Sequence, residues 1–236
     1  MIIHGTWQDE LPKIQDNSID LIIIDPPYLT TKEAWDKNEQ VNNILSNELY
    51  RILKPTGNFY CWCGIGENSQ SLIRWFPVFS EKWIFKDIIT WKKQRGMGNR
   101  KGWLYTREEI LWFVKDNKQF TWNKEFQYDE TDKRQKYGFK DLKTKSDFKR
   151  FTNVWTDIRE TNISWNHKEN LSSHFTPKPE KAIERIINLH TKEDDIVLDC
   201  FGGSGTTAVV AKRMNRNFII IEKELEYFEV IKERLE

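Results

Sequence analysis

The sequence predicts an α/β fold: a mixed, mostly parallel sheet with helices on both faces. Short runs that are apolar on both sides alternate with segments of helical spacing, which is the pattern of a sheet covered by helices. A glycine cluster after a buried strand stands near the end of the chain, where most folds of this kind place it at the start. That position predicts a circularly permuted strand order.

The firmest strands are three. Ile19–Ile24 stops at Asp25-Pro26-Pro27, Ile196–Phe201 stops at glycines, and Phe218–Ile221 stops at Glu222. Met1–Ile3, Asn58–Trp62, Asp87–Trp91 and Ile110–Val114 are weaker runs and bring the sheet to seven strands. In Glu39–Leu53 the residues Val41, Ile44, Leu45, Leu49 and Ile52 share a helical face. Pro179–Leu189 repeats the pattern through Ala182, Ile183, Ile186 and Ile187, and Thr206–Met214 and Glu226–Leu235 also read as helices. Residues 116–170 are polar and aromatic with little periodicity, so they read as an inserted, partly irregular segment on the sheet rim. Only 14 residues follow Glu222, so the neighbours of the last strands must come from the N-terminus.

A chain of 236 residues buries roughly 70% of its unfolded surface and needs no disulfide or metal to hold a core. Three cysteines, at 61, 63 and 200, make a poor disulfide framework and have the wrong spacing for zinc; they read as reduced thiols with no metal site. No apolar run reaches the ~18 residues of a membrane span, and Met1–Gly5 does not open a secretory signal. A cytoplasmic location is expected. The net charge is +1, but residues 91–150 hold 17 Lys and Arg against 9 Asp and Glu, between two mildly acidic flanks. Such a basic stretch is either a solvated surface or a patch that meets a polyanion. Lys92, Lys93, Arg95 and Arg100 are the candidate phosphate contacts. His190, between a helix and a strand, is expected to be structural or solvated.

Two motifs carry chemistry. Asp199-Cys200-Phe201-Gly202-Gly203-Ser204-Gly205-Thr206-Thr207 joins a strand to a helix without the Gly-Lys-Ser/Thr of a phosphate-gripping loop. Its glycines let backbone approach a ligand, and Glu222, 17 residues after Gly205, is placed to accept ribose hydroxyls. The pair points to a nucleoside site; the plain alternative is a strand-to-helix turn and a surface acid. Asp25-Pro26-Pro27-Tyr28 ends a strand in a stiff turn that lacks two amide donors. A carboxylate, a free carbonyl and an aromatic face are thereby fixed together. They complement a flat base with an exocyclic amine: Asp25 and the Pro26 carbonyl take the two N–H groups and Tyr28 stacks.

These motifs resemble the β group of S-adenosylmethionine-dependent amino-DNA methyltransferases, and the blocks stand in that group's order. Asp25–Tyr28 resembles the catalytic motif, His174-Phe175-Thr176-Pro177-Lys178-Pro179 its His-Pro-Thr-Gln-Lys-Pro block, and Asp199–Thr207 its glycine block. Leu53-Lys54-Pro55-x-Gly57 and Glu108-Glu109-Ile110-Leu111 match weaker patterns. Phe175, Pro177 and Cys200 depart from the usual residues, as does Thr6, where the family often has Asp.

The resemblance implies a Rossmann-like sheet and transfer of methyl from S-adenosylmethionine to adenine N6 in DNA, by base flipping and direct transfer. It implies Asp25, Pro26, Pro27 and Tyr28 as catalytic residues. Asp199, Phe201, Gly203, Gly205, Thr206 and Glu222 would hold the cofactor, with Thr176 and Lys178 at its carboxylate. Residues 1–115 would be the catalytic half, 116–165 the target-recognition insertion and 166–236 the cofactor half. DNA is the implied partner; a homodimer and a cognate restriction endonuclease stay open. Cytosine N4, an RNA amine, or a non-catalytic DNA-binding partner are the rival readings.

Overall fold

Strand β2 (Ile19–Ile24) shows why these residues form a central strand. Leu21 and Ile23 point to one face of the sheet, Ile22 and Ile24 to the other, and all four are buried. The computed structural model describes residues 1–28, 41–66, 69–97, 101–126, 128–133, 148–160 and 177–236. On one face lie α2 (Asn43–Ile52) and α3 (Ser71–Ser80), packing Leu45, Leu49, Trp75 and Phe79 against Ile22, Ile24, Phe59 and Cys61. On the other lie α4 (Glu180–His190) and α5 (Thr206–Arg213), packing Ile183, Ile186, Ile187 and Val210 against Leu21, Ile23, Tyr60 and Trp62. Asn42 starts α2 by accepting the Leu45 amide at 3.0 Å.

Among the described residues the main sheet has eight strands, ordered β1 (Ile2–His4), β10 (Asn217–Glu222), β9 (Ile196–Asp199), β2, β3 (Leu53–Cys63), β5 (Tyr105–Val114), β4 (Ile84–Met97) and β8 (Val154–Trp155). All adjacent pairs are parallel except those of β5, which runs antiparallel to β3 and β4. The permuted order is present: the last strands pair with the first, β10 with β1 and β9 with β2. The seven expected strands are all there. The eighth, β8, is two residues inside the segment read as irregular, held by Thr90↔Val154 and Trp91↔Trp155. That segment also forms a two-stranded sheet from β6 (Tyr128–Lys133) and β7 (Phe148–Arg150). Helix α1 (Trp7–Glu10) follows β1, and α6 (Leu225–Leu235) closes the chain.

His190 is buried and structural rather than solvated. Its Nδ1 lies 2.8 Å from the Thr121 carbonyl and its Nε2 2.6 Å from the Tyr60 hydroxyl. A carbonyl only accepts, so Nδ1 carries the proton and Nε2 accepts from Tyr60. Burial pushes the imidazole down to about 4, which keeps it neutral.

Candidate active site

The chain leaves neighbouring parallel strands β2 and β9 at Asp25 and Cys200, on one edge of the sheet. From β9 it crosses through α5 to β10 on one side, and from β2 through α2 to β3 on the other. Crossovers that diverge this way open a crevice at the strand ends, where α/β folds bind ligands. Both motifs read from the sequence meet there.

On the β9 side, Asp199 fixes the glycine loop. Its Oδ1 accepts the Phe201 amide at 3.0 Å and its Oδ2 the Thr207 hydroxyl at 2.8 Å. Burial is the dominant influence on this carboxyl and lifts it to about 8. Gly203 and Gly205 take φ of +48° and +73°, which residues with a Cβ rarely adopt. A Cβ on Gly205 would stand 2.9 Å from Ile231, so that glycine is also needed for packing. A Cβ on Gly203 would meet only the Phe201 carbonyl, at 3.8 Å, so the crest of the loop is open to a ligand. Glu222 reaches the same crest: its Oε2 accepts the Gly203 amide at 2.7 Å and its Oε1 the Glu224 amide at 2.8 Å. Each oxygen keeps a lone pair for a hydroxyl. Burial raises this carboxyl, and the two amides oppose the rise. Thr206 is buried beside Ser204, 2.9 Å between hydroxyls, and Phe201 packs partly against the core. Gly5, whose amide bonds the Glu222 carbonyl at 3.0 Å, brings Thr6 to this edge, where Thr6 holds Asp9 through a 2.7 Å hydrogen bond.

On the β2 side, Asp25 is gripped from two directions. The Tyr28 hydroxyl donates to Oδ1 at 2.7 Å and the Lys178 ammonium meets Oδ2 at 2.9 Å. Lys178 also stands 3.1 Å from Glu108 and 5.2 Å from each of the Tyr28 and Trp62 ring centroids. Glu108 in turn pairs with Lys93. Burial is the largest influence on Asp25 and raises its carboxyl; Lys178 opposes the rise and Glu108 adds to it. Burial also works against the Glu108 carboxylate, but Lys178 and Lys93 outweigh it and hold its pKa below the ordinary value. The two carboxylates lift Lys178 far above a free lysine. Tyr28 is held protonated by burial and by Asp25. Pro26 is buried and Pro27 half-buried, so the turn is packed as well as covalently stiff.

The structure therefore brings together Asp25, Pro26, Pro27, Tyr28 and Lys178, and separately Asp199, Phe201, Gly203, Gly205, Thr206 and Glu222. Lys178 lies on the Asp25 turn, within reach of two acids. Thr176 and Arg100 lie outside the described residues, as does the Arg95 side chain. Lys92 is exposed, whereas Lys93 is only 24% exposed and engaged by Glu108. Sequence reasoning missed Glu108 and Trp62. Glu108 belongs to a recognised pattern, but only the pairing of β5 beside β3 reveals which way its side chain points. Trp62, fully buried, has an indole N–H with no acceptor among the described residues.

Fold and site together are those of an S-adenosylmethionine-dependent methyltransferase. Comparison with known proteins narrows the class. A DNA methylase family profile matches residues 19–233. A Type II methyltransferase, M1.MboII of Moraxella bovis, is 33% identical over 242 residues, covering 93% of this chain and 90% of the relative. The DNA adenine methyltransferase YhdJ of Escherichia coli K12 is 32% identical over 250 residues, covering 100% and 82%. Among solved structures, the M1.HpyAVI–SAM complex superposes with a TM-score of 0.66 at 28% identity over 99% of this chain and 98% of that one. The cytosine-N4-specific PvuII DNA methyltransferase shares the fold at a TM-score of 0.72 and 19% identity, over 100% and 86%. The chain belongs to this DNA methylase family, the enzymes that methylate exocyclic amines of DNA bases.

Proposed function

We propose that the protein methylates the N6 amine of adenine at a specific DNA sequence, with the target base flipped out of the duplex. The observation that carries this reading is the gripped Asp25 carboxylate, set at the switch point beside the Gly203–Glu222 crest. The amine's lone pair is delocalised into the ring. Hydrogen bonds from its two N–H groups to Asp25 and the Pro26 carbonyl draw the nitrogen toward tetrahedral geometry and free that lone pair. Tyr28 locks the Asp25 rotamer through its hydroxyl and offers its ring to the base. Lys178 opposes the rise that burial imposes on Asp25 and so favours its ionised, more strongly accepting form. This is orientation with electrostatics, most effective where water is excluded. S-adenosylmethionine supplies an electrophilic methyl on a sulfonium. Glu222 takes its ribose hydroxyls, while the open crest at Gly203 and the Phe201 side chain flank it. Extruding the base costs a few kcal/mol and makes the amine reachable.

Adenine is favoured over cytosine by the Asp-Pro-Pro-Tyr form of the turn and by the printed name of the Escherichia coli relative. Residues 116–165 are assigned to target recognition, within the halves 1–115 and 166–236, and Lys92, Arg95 and Arg100 to phosphates. A homodimer, a companion endonuclease and a cytoplasmic location belong to the same reading. Among the described residues no helix is long and apolar enough to cross a membrane. The test is nucleoside analysis with methylation-aware sequencing of DNA from a host expressing the protein. N6-methyladenine confined to one sequence is expected. N4-methylcytosine, or an unmodified host, would overturn the assignment.

A further inference from the structure

The β4–β5 hairpin outgrows the sheet. Pairing of β5 with β3 ends at Cys63↔Glu109, while pairing with β4 runs on through Lys92↔Arg107 to Met97↔Tyr105. A two-stranded ribbon therefore rises past the edge that carries the active site. Its tip is apolar. Trp103 is 91% exposed and Leu104 63%, directly after Gly102 at φ +154°. Trp7, Trp62, Trp75, Trp83, Trp91 and Trp155 are nearly inaccessible, so Trp103 stands apart from them.

The ribbon is also basic in sequence: between Asp87 and Glu108 it carries Lys92, Lys93, Arg95, Arg100, Lys101 and Arg107, and no acid, with Lys93 and Arg107 paired to Glu108 and Glu109 at its root. Its root is fixed at the site. The Tyr105 ring closes on Gly66, in the turn after β3, and Glu108 joins Lys178 and through it Asp25. At no more than about 3.4 Å per residue, the five residues from Glu108 put Trp103 within roughly 17 Å of it. The exposed pair thus lies beyond the same strand ends that carry Asp25.

An exposed apolar pair on a ribbon of basic sequence, beyond the strand ends that carry Asp25, matches one occupant: the base stack, which takes flat apolar groups between its steps and surrounds them with phosphates. Resting on the DNA reading above, we propose that Trp103, with Leu104 behind it, is the wedge that enters the stack at the target position. There it fills the space of the extruded base and slows that base's return. The role is distinct from phosphate contact by the basic residues and from sequence reading by the insertion.

The test uses the full chain and two duplexes carrying the mapped site, one fully paired and one with an abasic position opposite the target base. With wild type, both are methylated. Trp103→Ala is expected to lose about tenfold or more in kcat/KM on the paired duplex and little on the abasic one, where the stack is already open. Trp103→Phe should keep most of the activity. A 2-aminopurine at the target position should brighten with wild type and stay dim with Trp103→Ala. Equal activity on the paired duplex, or equal losses on both duplexes, would overturn the wedge. So would conversion of a dimer to a monomer by Trp103→Ala in sedimentation, which would make the occupant a second copy of this chain. Absence of methylation by the wild type on either duplex would instead defeat the DNA reading itself.

Discussion

One ammonium serves two carboxylates at the centre of the site. Lys178 faces Asp25 and Glu108, and their environments pull them apart: burial lifts Asp25, while two lysines hold Glu108 ionised. Asp25 is the stronger acceptor when ionised, so activity should fall as pH drops through its raised pKa. Lys178→Met removes the opposing charge, which typically shifts a carboxyl by about 1–3 units. The acid limb of kcat should therefore move up in pH, with recovery at high pH. A raised KM for cofactor with an unmoved limb would instead give Lys178 to the cofactor's carboxylate, as the family resemblance implied. Glu222→Ala should weaken cofactor binding by about 1.5–3 kcal/mol, the scale of hydrogen bonds to a charged group; calorimetry showing unchanged affinity would contradict that role. Asp25, Tyr28 and Glu222 were legible in the sequence because each ends a buried strand or follows one within a few residues. The Asp25–Lys178 pair was not, because 152 residues of chain lie between its members.

At the scale of elements, Asp199 ties β9 to α5 through Thr207 and to its own loop through Phe201. Its folded pKa, about 8, stands above the ordinary 3.8. The folded state thus holds a proton that the unfolded chain releases between about pH 4 and 8. Its contribution is fully present below the unfolded value and is lost as pH rises through the folded one. Asp199→Asn removes that loss, so its thermal midpoint should decline less than the wild type's between pH 5 and pH 8. Parallel curves would mean that Asp199 is ionised in the folded protein. Strands were the most legible elements, since buried β-branched runs admit few other readings. Helix α3 went unread because Pro77 lies inside it, at a position where proline usually breaks a helix at a cost of about 3 kcal/mol. Burial of Trp75 and Phe79 against the sheet offsets that cost. β8 is too short for any periodicity to announce; it forms where its two residues meet Thr90 and Trp91.

The whole molecule divides its charge as it divides its work. The acidic flanks supply the strand ends that hold the carboxylates, and the basic middle supplies the ribbon beyond them. If the ribbon meets phosphates, five or six contacts give a slope of about −5 in log K against log salt, at −0.9 per phosphate. Reversing Lys92, Arg95 and Arg100 should flatten the slope and weaken all sequences alike. Lys93 is best left intact, because its partner Glu108 belongs to the site. A salt-independent affinity would move the DNA surface elsewhere. The permuted topology was legible from one fact, a cofactor-type glycine loop 31 residues from the end of the chain. The layout of 116–165 was not, because its strands are too short and irregular for periodicity to announce, and β8 pairs with β4 outside the segment.

In the proposed mechanism the Asp25 turn faces the base while the Gly203–Glu222 crest faces the cofactor. Asp25→Ala separates the two most directly, with cofactor affinity from calorimetry and single-turnover methyl transfer measured on the same preparation. Cofactor affinity within a few-fold of wild type and no detectable methyl transfer is the predicted result. Lost cofactor binding with turnover retained at saturating cofactor would contradict it.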